Sequence, residues 1–140
     1  MDQMTRAKQH ARQQARAQLD SIVNLMDAIE AARDGKTIRY EDEWLGLEEL
    51  EERARERPLS ILVRSEWSLP GSKLTPGEYE VLLCTGGPAV RIRGELSEYG
   101  EPASARIESQ DWFTPWERLH TDSREDEPLL RFAALFWFGQ

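Results

Sequence analysis

At Pro58 the spacing of apolar residues changes from steps of three and four to steps of two, and that switch dictates helices followed by strands. Upstream, Ala11, Ala15, Leu19, Ile22, Val23, Met26 and Ile29 form one apolar stripe. The stripe predicts a helix from Thr5 to Arg33, with Gly35 as its C-terminal cap. Its early part is mostly alanine and buries little. The first two or three turns are therefore expected to project beyond the core or to pack on a partner, a homodimer through this helix included. Thr37 to Tyr40 reads as a connector. Asp42 then caps a second helix running to Arg57, with Trp44, Leu47, Leu50 and Ala54 on one side, and Pro58 stops it. The two helices read as an antiparallel hairpin.

Downstream, Leu59, Ile61, Val63 and Trp67 alternate with polar residues as a first strand, and Tyr79, Val81 and Leu83 as a second. Thr85-Gly86-Gly87-Pro88 turns the chain into a third strand carrying Val90, Ile92 and Leu96. After a turn at Glu98 to Pro102, Ala103, Ala105 and Ile107 begin a fourth, ending near Trp112. Ser123 with Asp126 opens a short apolar helix holding Leu129, Leu130, Phe132, Ala133, Phe136 and Trp137, which is expected to pack on the sheet; its last two or three residues could instead be extended. The fold class is α+β: an N-terminal helical hairpin, a four-stranded antiparallel meander and a C-terminal helix. With 140 residues, residues 1–140 are expected to form one domain.

The net charge of -8 argues against direct nucleic-acid binding, which rests on basic surface neutralising phosphates. The charge is uneven. Arg6, Lys8, Arg12 and Arg16 stand near the start against Asp2 alone, whereas Glu41 to Arg57 holds eight acidic and three basic side chains, and Glu95 to Glu127 ten and three. No apolar run approaches the roughly 20 residues of a membrane span. A lone cysteine, Cys84, and no hydrophobic leader point to a reducing compartment, the cytoplasm.

Few residues invite chemistry. His10 and His120 sit on different elements, so no metal or cofactor is expected. Cys84 and His120, with Arg91 nearby, would be the members of a small enzymatic or nucleotide-handling site, but Cys-Thr-Gly-Gly is a turn sequence, and Cys84 reads as a small hydrophobe ending a strand. Gly86-Gly87 leads into Pro88 and a strand, not into the helix N-terminus a phosphate loop requires. Glu48, Glu49, Glu51 and Glu52 form a charged helix face. Arg91 and Arg93 share a strand face, where pairing with Glu78 or Glu80 competes with a basic stripe turned to a partner. Trp112, Phe113 and Trp116 crowd one segment; they either seal the core edge or anchor a partner.

The stretch Leu82 to Leu96, reading LLCTGGPAVRIRGEL, resembles a group of small proteins encoded by phages and prophages of proteobacteria. So do Pro58-Leu59-Ser60, Val63-Arg64-Ser65, Gln110-Asp111-Trp112, Thr114-Pro115-Trp116 and the closing aromatic-Phe-Gly. The resemblance covers about residues 58 to 140 and the amphipathic first helix, and it carries no activity that transfers to individual residues. It implies a non-enzymatic protein that binds a host protein, an inhibitor of a defence system of the anti-CRISPR or anti-restriction kind. Glu48, Glu49 and Glu52, the acidic surface from Glu95 to Glu127, Arg91, Arg93 and the Trp112, Phe113 and Trp116 anchors are the expected partner-binding residues. The expected target is a nucleic-acid-binding defence component whose basic channel the acidic faces occupy.

Overall fold

The computed structural model describes residues 2–112 and 114–139. Helix α1 spans Gln3–Ala32, about 45 Å of axis. Asp2 caps it, its carboxylate accepting the Thr5 amide at 2.7 Å. No residue of its first two turns is buried; burial begins at Ala11 and continues through Ala15, Leu19, Ile22, Met26 and Ile29. The early alanines are not idle. They let α1 approach the central strands of the main sheet and the C-terminal helix packed beside it.

The expected helical hairpin is interrupted. Strands β1 (Ile38–Tyr40) and β2 (Glu43–Leu45) form a small antiparallel hairpin, with Ile38 opposite Leu45 and Tyr40 opposite Glu43. Its two turn residues, Glu41 and Asp42, both have positive φ (48° and 65°), as a tight two-residue hairpin turn requires. Asp42 is therefore a turn residue and not a helix cap, and Trp44 lies on a strand, 63% exposed. Helix α2 begins only at Leu47 and ends at Arg55. Glu49 accepts the Gly46 amide at 3.3 Å, and Glu48 and Glu49 precede Arg53 and Arg55 in the sense that suits the helix dipole. Leu50 and Ala54 bury fully, and Arg57 fixes the end of the helix to Gln18 and Ser21 of α1, both at 2.8 Å.

The main sheet has five strands, not four, in the order β3 (Ser60–Ser65), β4 (Pro76–Cys84), β5 (Ala89–Glu95), β6 (Arg106–Gln110) and β7 (Glu117–Arg118), each antiparallel to its neighbour. The Gly86-Gly87 hairpin joins β4 to β5 as the sequence predicts, with Gly86 at φ +94°. Val81, Ile92 and Ile107 align across three strands and are completely buried beneath the helices. The fourth strand starts at Arg106 and not Ala103; before it, Leu96 and Pro102 make an isolated bridge. That crossing brings Ser104 over Gly94, where a Cβ would stand 2.0 Å from the Ser104 carbonyl oxygen.

Helix α3 (Ser123–Ala133) is capped one residue earlier than expected. Asp122 accepts the Arg124 and Glu125 amides, and Glu125 returns a bond to the Asp122 amide at 3.1 Å, so the preferred Glu occupies the third helical position after all. The helix ends before Phe136. The chain then crosses back so that Phe138 packs on Tyr79, ring centroids 4.7 Å apart, and Trp137 faces outward and not onto the sheet. Among the described residues no helix is long and apolar enough to cross a membrane.

Candidate interaction surfaces

The face of the sheet turned away from the helices carries alternating charges, because β4, β5 and β6 each bury every second side chain on the other face. Arg91 sits at its centre. It bonds Glu80 on β4 and Glu108 on β6, both at 2.8 Å, and lies over the Trp116 ring at 3.8 Å from the centroid. Arg106 joins the cluster through Glu108 at 3.3 Å. Trp116 is thereby half-buried on the protein's own arginine, which makes it a fastener of this face. Arg93 stands opposite Arg106 and Glu80 in the ladder, and its charge acts on the nearby Glu78 carboxylate. At the near edge Arg64 bonds Glu78 and holds that carboxyl below its ordinary value.

Trp112 occupies a different place, a turn after β6 at the end of the molecule where α1 begins. The Trp112 amide donates to Asp111 Oδ1 at 2.6 Å, the Asp111 amide to Thr114 Oγ1 at 3.0 Å, and the Thr114 amide back to the Asp111 carbonyl at 3.0 Å. Thr114 is buried, whereas Trp112 is 72% exposed. A shallow groove beside it is lined by Met4, Arg6, Ala7, His10 and Asp111. Phe113, expected to act with Trp112, lies outside the described residues.

The acidic surfaces do not merge with this tip. Glu48, Glu49 and Glu52 are exposed on α2, with Arg53 among them paired to Glu43 and Glu41. Arg57, just past α2, meets α1 at Gln18 and Ser21, about 20 Å along the helix axis from the Ala7 end that lies beside Asp111. The stretch from Glu95 to Glu127 is spread over several elements, and part of its charge is answered internally: Glu117 by Arg12, Glu125 by Arg16, and Glu108 by Arg91.

Cys84, His120 and Arg91 are not brought into one site. Cys84 ends β4 and His120 follows β7, three strand spacings or about 14 Å across the sheet. The Cys84 thiol faces the Pro88 carbonyl at 3.6 Å, and burial pushes its pKa up, which disfavours the thiolate a nucleophile requires. Arg91 is committed to its carboxylates. Among the described residues, no group of three or more His, Cys, Asp or Glu is placed to hold a metal ion.

The surface that sequence reasoning passed over is β3. The alternation of Leu59, Ile61 and Val63 with polar residues predicts a strand there, yet Leu59, Ile61, Leu62 and Val63 are all exposed, because α1 crosses β5 and β6 and leaves the sheet edge uncovered. The available signal was Ile61-Leu62-Val63, three apolar residues in succession that put hydrophobic side chains on both faces of a strand.

No family model, curated protein or solved structure matches the chain.

Proposed function

We propose that this chain is a non-enzymatic protein that acts by binding a host protein, as an inhibitor of a bacterial defence system of the anti-CRISPR or anti-restriction kind, with the host cytoplasm as its place of action. The observation that carries the binding role is Trp112: a large aromatic side chain left 72% exposed on a turn fixed by three hydrogen bonds. Tryptophan is usually largely buried, and an ordered, exposed one loses little further freedom on binding, which is why such residues serve as interface anchors. The resemblance to phage and prophage proteins supports the host-directed part of the reading.

The acidic face of α2, carrying Glu48, Glu49 and Glu52, would be a second contact, steering the chain to a basic nucleic-acid channel. A charge of -8 is modest for imitation of a phosphate backbone, so the aromatic contact at Trp112 must supply much of the affinity. Affinity capture from a bacterial host lysate tests this. The wild-type chain should retain a nuclease or other nucleic-acid-binding defence component, and Trp112→Ala should not. Retention of no such component by the wild-type chain would count against the reading.

A further inference from the structure

We infer that the chain self-associates through β3, two copies pairing their Ser60–Ser65 edges antiparallel about a twofold axis at Leu62 to join both five-stranded sheets into one. Natural sheet edges are blunted by charge, proline, bulges or shortness, because an open ladder of amides and carbonyls recruits another strand. The opposite edge obeys this: β7 has only two residues, Glu117 and Arg118. The β3 edge is blunted only at its far end, by the exposed Arg64 and a register irregularity between Arg64 and Ser65. It is six residues long and presents Ile61, Leu62 and Val63 uncovered, Leu62 at 56% exposure.

The occupant that fits this edge is a second copy. Antiparallel pairing centred on Leu62 sets Leu62 against Leu62, Ile61 against the other copy's Val63, and Ser60 against its Arg64. Ile61 and Val63 of both copies then form one apolar patch on the helix-side face, and the two Leu62 side chains meet on the opposite face. Arg64 keeps its own Glu78 and meets no like charge across the junction. Centring the pair on Arg64 would oppose two guanidinium groups, and centring it on Val63 would set Leu62 against Arg64.

Leu59, Ile61, Leu62 and Val63 supply the apolar part of the contact, and the free amides and carbonyls of the two edges supply the rest. This surface is separate from the Trp112 tip, so the inference stands apart from the proposed host target.

Light scattering on the full chain over a concentration series tests it. The mass should rise with concentration from one 16.2 kDa chain to two. Leu62→Lys, with an unchanged circular dichroism spectrum, should raise the dissociation constant at least about tenfold, as expected when two lysines face each other in the ladder. Register is tested by cysteine cross-linking in a Cys84→Ser background with a short bismaleimide. Leu62→Cys should cross-link to itself. Ser60→Cys should fail alone, because the two positions lie about 14 Å apart along the strands, and should succeed when mixed with Arg64→Cys. A one-chain mass up to the solubility limit would overturn the inference, as would a dimer indifferent to Leu62→Lys with no Leu62→Cys cross-link.

Discussion

Arg91 lies 3.8 Å from the centre of the Trp116 ring while bonding Glu80 and Glu108, so one guanidinium ties together β4, β5, β6 and the segment entering β7. All three ionic side chains are at least three-quarters removed from solvent. Arg91→Ala would leave the largely buried Glu80 without its cation and Glu108 with Arg106 alone, and should cost about 2 kcal/mol. Arg91→Lys keeps the charge but loses the planar fork and the stacking, and should cost about half as much. Urea unfolding followed by tryptophan fluorescence measures both.

Gly94→Ala should be far more severe. The added methyl group meets the Ser104 carbonyl oxygen at 2.0 Å and the Tyr79 ring at 2.8 Å, so the Ser104 backbone must be pushed away from β5. A loss of about 3 kcal/mol or more is expected. Tyr79→Phe, which removes only the hydroxyl bonded to the same carbonyl at 2.6 Å, should cost about 1 kcal/mol in the same assay.

The Arg64 bond lowers the Glu78 pKa, so the contribution of this pair to stability is present above the ordinary carboxylate range and is lost as pH falls through the lowered folded value. Glu78 is well solvated, and the effect on stability should be small. Arg64→Ala should return the Glu78 titration, followed by carboxyl NMR, upward to the ordinary range. An unchanged midpoint would show that the pair does not persist in solution.

The Cys84 thiol should react slowly. Its raised pKa keeps it protonated at pH values where a free cysteine is partly thiolate. Alkylation of the folded chain near pH 8 should run slower than that of the urea-unfolded chain. Equal rates would mean that Cys84 is open to reagents and that its burial is not maintained.

Sequence periodicity was enough for α1, for the β4–β5 hairpin and for the class of the fold, because each rests on a long, consistent pattern. It failed where a few residues decide the conformation. The β1–β2 hairpin depends on Glu41 and Asp42 both adopting positive φ, which neither residue advertises. Strand β7 is two charged residues held by pairing with Glu108 and Ser109, with no alternation of its own. The candidate surfaces were half legible. Exposure of Trp112 and the commitment of Arg91 and Trp116 to each other follow from tertiary packing, and a single strand pattern cannot tell a covered β3 from an open one.

The most direct test of a host-directed binding role is the plating efficiency of a phage on a bacterial host that carries an active CRISPR or restriction system and expresses this chain. Wild-type chain should restore plaques, as should a Cys84→Ser, His120→Ala double variant, whereas Trp112→Ala should not. Failure of the wild-type chain to restore plaques against either kind of system, or restoration abolished by the double variant but indifferent to Trp112→Ala, would contradict it.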